Sequence, residues 1–396
     1  DFGPAPATLA ANLRFDSAQG ALEVERFEMK QQGVLRMSGK LSQTPGAPPA
    51  VTALIEDAQL ATVFVTYLQP FLAGTRLEKL SLSGSARGRI ETEGAAPHHI
   101  ALRFDSAGIE SESYDAGLRG LQGSLNWQAR GDSAASELNW TGGHLAKLEL
   151  GPAQIRFRTA ARDLELLGPL RLPMAGGALK IHELALQRSG QPDMAARFDA
   201  EIEPLDLSAL CRAFGWPEFG GQLGGRLPGL ALKDGELKLD GTLSARAFDG
   251  EIAVAGLRVL DPFGRVPRVA ADIRLRNLDL TALTGAFSFG RIDGRIDGDV
   301  QDLRLLNWQP ISFKARLATP PGDKSRHRIS QRAIDNISSI GGGPTGVLSR
   351  GFMRFFDDFA YARIGWSCVL ANGVCRMDGI EPAKDGGYVL VKGRLL

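Results

Sequence analysis

The chain has 396 residues, 43% of them apolar, a share normal for folded proteins that sets disorder aside. Its 46 basic and 45 acidic residues leave a formal net charge of +1, which gives no electrostatic case for nucleic acid or an anionic membrane surface. No run of about 18 apolar residues is present to span a bilayer, and no secretory signal is visible. The start at Asp1 and the strand-like end "GYVLVKGRLL" read as a piece of a longer protein.

In chain order, residues 1–94 form a first repeat. Gly20 opens "GALEVERFEM", "SQTPGAPPA" (42–50) reads as a loop insertion, and "DAQLATVFVTYLQPFL" (57–72) predicts a helix. "KLSLSGSARGRI" then alternates, with Leu80, Leu82, Ala86 and Ile90 on one face together with Gly84 and Gly88. Residues 95–176 form a more degenerate repeat with strand-like segments such as "HIALRFDS", "GSLNWQAR" and "AQIRFRTA".

Residues 177–249 and 250–322 are clearer copies of one pattern. Gly177 opens "GALKIHELAL" and Gly250 opens "GEIAVAGLRV". Phe198, Ala200 and Ile202 align with Ala271, Ile273 and Leu275. "DLSALCRAFGW" aligns with "DLTALTGAFSF", each predicting a short helix with Asp206 or Asp279 at the N-cap. A pair of glycines four apart follows in both: Gly221 and Gly225, then Gly294 and Gly298. In "GELKLDGTLSARA" Leu237, Leu239, Leu243 and Ala245 share one face, and in "RIDGRIDGDV" Ile292 and Ile296 do the same. Repeats of this kind predict a stacked architecture.

The pattern changes over 323–396. "ISQRAIDNISSI" puts Ala333, Ile334, Ile337 and Ile340 on one helical stripe, ended by three glycines and a proline. "GVLSRGFMRFFDDFAYARI" predicts a second amphipathic helix, with Leu348, Phe352, Phe355, Phe356 and Phe359 on one side. It reads either as an element docked on the end of the sheet or as an interfacial gate. Cys368 and Cys375 flank "VLANGV". A four-residue loop sets them opposite each other and permits a disulfide; a two-residue loop pairs Cys368 with Met377; two free thiols are the remaining possibility.

A sheet with one apolar face has to bury it, at roughly 25 cal/mol per Å² of apolar surface. One short helix per repeat covers little of that face. The solutions are two facing sheets, a closed barrel, or a curved groove filled by something other than protein. Alternation of Leu and Ile with Gly and Ala favours curvature and free volume. The expected fold class is therefore mainly β: an elongated, curved antiparallel groove built from repeats, with a few short amphipathic helices. A Gly-rich sandwich or solenoid with an ordinary core is the alternative.

Catalytic chemistry is not legible. The five histidines have no zinc spacing, the cysteines form no metal-binding pair, and Asp293, Asp297 and Asp299 read as a charge ladder with Arg291 and Arg295 rather than a calcium site. "GGGPTG" follows a helix and lacks the phosphate-loop lysine, and no nucleophile elbow occurs. The expectation is a protein without catalytic residues, metal or cofactor.

Residues 206–252, "DLSALCRAFGWPEFGGQLGGRLPGLALKDGELKLDGTLSARAFDGEI", resemble the AsmA-like superfamily of Gram-negative envelope proteins, in particular its YdbH-like branch. The similarity covers 177–385 well and 20–110 more loosely. It implies a periplasmic bridge, related to TamB and YhdP, that carries phospholipid acyl chains along a hydrophobic β-groove between inner and outer membranes. It also implies an inner-membrane anchor that this chain lacks and an outer-membrane lipoprotein partner added as a β-strand at an open edge. Under this reading the aliphatic positions named above line the groove.

Overall fold

The computed structural model describes residues 6–18, 20–75, 77–94, 96–189, 191, 193–215, 218–261, 266–340, 358–383 and 386–392. It is mainly β, with antiparallel strands throughout and few short helices. The chain divides into two compact units, 1–174 with 179–198, and 175–178 with 199–396. The borders of the four sequence repeats and the C-terminal segment do not coincide with these two units. The border at 94/95 falls in a hairpin whose strands, Leu80–Glu93 and Ala96–Ser111, pair along their length. The border at 249/250 falls in another.

In the first unit, strands Ala7–Asp16, Ala21–Gln31, Leu35–Gln43, Ala50–Gln59, Leu80–Glu93, Ala96–Ser111 and Ala116–Gln128 each pair with the next. Strand Ala116–Gln128 then pairs with both Ser136–Trp140 and Gly142–Leu145. Residues 42–50 are not a loop inserted into an otherwise unchanged repeat. They join Leu35–Gln43 to Ala50–Gln59, so the repeat opened by Gly20 carries one more strand before its helix. That helix spans 60–72 and contains a π-helical stretch, Phe64–Leu68.

In the second unit the two clear repeats match in detail. Strands Ala195–Asp206 and Arg268–Asp279 are each 12 residues long and run straight into helices Leu207–Phe214 and Leu280–Ala286. The aspartates cap as expected: Asp206 accepts from the Ser208 amide at 2.7 Å and Asp279 from the Ala282 amide at 2.8 Å. Strand Gly221–Lys233 pairs with two short strands, Glu236–Lys238 and Thr242–Ala247. From there the ladder runs through Gly250–Leu260, Arg268–Asp279, Arg295–Leu306, Gln309–Ala318, Asp358–Ala371 and Val374–Gly379.

The main closed core lies at one end of this ladder. Ile292, Ile296, Ile329, Ala333, Tyr361 and Ile364 are each 3% exposed or less and pack together, with Leu283, Ile334 and Ile337 against them. Helix Gln331–Ile340 forms as its stripe predicts and seals this end. The following aromatic segment differs from expectation at its last member. Phe359 lies at the start of strand Asp358–Ala371 and pairs with Ile329, because extended backbone there completes the ladder to 328–330, while 365–370 of the same strand make the ladder to 313–318. Leu348, Phe352, Phe355 and Phe356 lie outside the described residues.

The glycines set four apart act mainly through close approach. Gly88 has φ +153°, and a β-carbon there would overlap the carbonyl oxygen of Ala101 on the neighbouring strand. Free volume is not what they provide: the Phe27 ring occupies the space beside Gly39, and the Leu317 side chain that beside Gly298. Gly88→Val is expected to cost more than about 2 kcal/mol, and Ile296→Ala about 2–5 kcal/mol through a cavity in the closed core. Denaturant melts of the two variants check both values.

Candidate functional site: an apolar sheet face

Strand pairing turns the period-two pattern into continuous apolar rows. In the second unit one row crosses seven strands: Leu243, Val254, Ile273, Val300, Ala315, Cys368 and Met377 face one another in register. The next row toward the closed core is Leu223, Ala245, Ile252, Leu275, Gly298, Leu317 and Trp366. In the first unit Leu9, Met29, Met37, Ile55, Gly88, Leu102 and Leu125 form such a row. Ala11, Phe27, Gly39, Ala53, Ile90, Ile100 and Trp127 form another.

The intervening rows are polar. Ser244, Ala253, Arg274, Asp299, Arg316, Ser367 and Asp378 lie opposite one another on the other face. Asp299 binds Arg276 at 3.2 Å and Arg274 at 3.5 Å, so charges of opposite sign stand on adjacent strands. Of the aspartates of "IDGRIDGDV", Asp299 pairs across strands and Asp293 pairs with Arg291 two positions away at 3.5 Å, while Asp297 has another task. It accepts the Asn277 amide at 2.7 Å, satisfying backbone freed where the register shifts between Leu275 and Leu278. Among the described residues no group of three His, Cys, Asp or Glu side chains could hold a metal ion. No helix of the described residues is long and apolar enough to cross a membrane.

The expected lining residues fall into two environments. Leu80, Leu82, Ile90, Phe198, Ile202, Leu237, Leu243, Ala245, Ile273 and Leu275 are half-buried on the apolar side. Ala86, Leu239, Ile292 and Ile296 are closed off at 5%, 2%, 3% and 1% exposure. Ile292 and Ile296 belong to the closed core, and Leu239 sits where the strand expected over 235–247 is interrupted, its amide donating to Leu257 at 2.9 Å. The half-buried set is the part of the face that a ligand can reach. Val254, Val300, Ala315 and Leu317 join it, with the exposed Met377 at its margin, without having been singled out from the sequence. Their alternation was visible strand by strand; which strand lies beside which was not.

Cys368 and Cys375 form a disulfide, with Cα atoms 5.8 Å apart. The turn is nevertheless the two-residue one: Ala371 faces Val374, Cys368 faces Met377 and Leu370 faces Cys375. Asn372 and Gly373 have φ of +51° and +75°, the left-handed pair that a tight hairpin of this type requires. The bridge therefore runs diagonally between neighbours on the same face, a reach that same-face side chains two residues out of register have.

A polar knot holds the closed end. Asp323 receives His327 Nε2 at 2.9 Å, the Ser325 amide at 2.9 Å, the Ser325 hydroxyl at 2.8 Å and the Arg295 amide at 3.3 Å. Burial pushes its carboxyl up, but these donors outweigh it and hold the pKa down at about 2. The His327 ring stacks on Tyr361, centroids 4.9 Å apart, and the Tyr361 hydroxyl donates to the Asp293 carbonyl at 2.6 Å. Burial first, then the charges of Asp323 and Asp293, push the Tyr361 phenol up.

With this geometry in hand, comparison with protein-family models, curated proteins and solved structures finds no match for the chain.

The Asp323 shift has a sign that can be checked. Its folded-state pKa lies below the ordinary value of 3.8, so its contribution is full above pH 4 and is lost as the pH falls toward 2. Asp323→Asn is expected to lower stability at pH 7 by of order 2 kcal/mol and to flatten the acid limb of the stability profile between about pH 4 and 2. Urea melts of both proteins across that window measure it.

Proposed function

We propose that the half-buried apolar face is a surface for lipid acyl chains, and that the protein moves phospholipid along it in the periplasm of a Gram-negative envelope. The observation that carries this is the row from Leu243 to Met377. Seven apolar positions on adjacent strands stay in register, and among them only Cys368 is fully buried. Seven strands about 4.8 Å apart make a strip roughly 30 Å long, with aliphatic and thioether side chains along it. Such a strip holds alkyl chains by the hydrophobic effect alone, which is non-directional, so a chain slides from one row of side chains to the next without breaking a specific bond.

The resemblance of 206–252 to the AsmA-like superfamily supports the same reading and supplies its setting: a bridge anchored in the inner membrane through a segment outside this chain. The disulfide agrees with an oxidising compartment. Among the described residues strand Val374–Gly379 pairs in the ladder only with Asp358–Ala371. An outer-membrane lipoprotein segment added to its other side as a strand fits that edge. No catalytic role is proposed for any residue.

A purely structural repeat with a dry core is the competing reading, and it describes the closed end around Ile296 well. The two readings separate at the half-buried rows. A photo-crosslinking residue at Leu243 is expected to capture phospholipid in a Gram-negative envelope, and one at Ser244, on the polar face, is not. Crosslinks from position 243 only to other strands of the same protein would overturn the transport reading. Leu239, closed off at 2% exposure, is unsuitable for the probe.

A further inference from the structure

The balanced net charge of the chain conceals an uneven distribution on the polar face of the second unit. Toward the closed core several arginines of this unit are paired: Arg246 with Glu251, Arg274 and Arg276 with Asp299, Arg295 with Asp249. Toward the hairpin ends four arginines stand without such a contact. Arg258, Arg268, Arg304 and Arg376 are all exposed, and none has an ion-pair partner among the described residues.

Register places these four together. Lys238, Arg258, Ala270, Arg304 and Ser312 lie opposite one another in one row, and Lys233, Glu236, Leu260, Arg268, Leu306 and Gln309 in the row beside it. Lys314, Val369 and Arg376 continue the same face on the next strands. Arg258 and Arg304 therefore flank Ala270 about 10 Å apart, with Arg268 one row away. Lys314 is engaged by Asp302 at 2.8 Å and Lys238 by Asp240 at 3.0 Å, and Arg304 also stands within the field of the Asp302 carboxylate, so the four arginines, none with a carboxylate oxygen within 4 Å among the described residues, carry the remaining positive charge of this surface.

Large apolar side chains stand exposed at the same rim. Trp308 is 69% exposed at the tip of the 306–309 hairpin, Val374 is 68% exposed at the next tip, and Leu306 and Val369 are 41% and 46% exposed on the arginine face. A basic surface edged by an exposed tryptophan and aliphatics matches a bilayer interface. There guanidinium groups meet lipid phosphates, the indole sits at headgroup depth, and short aliphatic side chains enter the acyl boundary. We propose that this rim docks on an anionic lipid surface. The arginines lie on the face opposite the apolar rows, so the proposal does not depend on lipid passing along those rows.

The test is co-sedimentation of the whole chain with vesicles of phosphatidylcholine alone or with about one third phosphatidylglycerol. Binding is expected only with the anionic lipid, and to weaken as salt rises. Each basic residue near such a surface is worth about a factor of five in binding, so Arg268→Glu with Arg304→Glu is expected to lower it at least about 25-fold. Trp308→Ser is expected to lower it several-fold, and Arg246→Glu, at an exposed site nearer the closed core, to leave it unchanged. All four positions are solvent-exposed, and circular dichroism confirms that the variants fold. Leu243→Glu, which disables the apolar row, is expected to keep vesicle binding, separating failure of this proposal from failure of lipid transport. No binding to anionic vesicles, equal binding to neutral ones, or undiminished binding by the double variant overturns the proposal. Binding to duplex DNA but not to vesicles overturns it in favour of another polyanion.

Discussion

Everything in this protein rests on register. Side chains on a strand alternate between faces, so a slip of one residue in any hairpin would carry a whole strand's aliphatic set into water. Here the strands stay in phase over many pairings, and they do so partly by departing from regularity. Val24 and Phe27 both face the apolar side although three residues separate them, and so do Leu275 and Leu278. At each of these places the register shifts, and the extra residue restores the phase.

Bulges leave amides without ladder partners, and carboxylates take them up. Asp297 accepts the Asn277 amide, and Asp272 accepts the Asp302 amide at 2.9 Å. This links two features that look unrelated in sequence: an abundance of aspartate within strands and occasional failures of strict alternation. The acidic residues there serve the backbone, and the result is an apolar face with few interruptions. The glycines have a related part, letting neighbouring backbone or an aromatic ring come closer than a β-carbon would allow.

The same face behaves differently along the second unit. At one end, helix Gln331–Ile340, strand Arg328–Ser330 and the Asp323–His327–Tyr361 knot close it into a dry core. Farther along the strands the rows stay half-buried and end at hairpins whose outer side carries exposed arginines. A closed end, an accessible apolar middle and a basic rim form a graded surface, and the functional proposals above follow that gradient.

Short-range features were open to reading from the amino-acid sequence: the alternation over 80–90 and 237–245, the aspartate caps at 206 and 279, the stripe over 333–337, and the repeat from 177. Each depends on neighbours a few residues apart, where geometry is set by the chain itself. Other features came only with the tertiary structure. Phe359 joins a strand because 328–330 lies beside it and pairs with it. Ile292 and Ile296 are sealed while Leu243 and Ile273 stay half-buried, because the closing helix packs at only one end of the strands. The arginines at 258, 268, 304 and 376 became one surface because antiparallel register brings together positions more than a hundred residues apart, and no local pattern encodes that meeting.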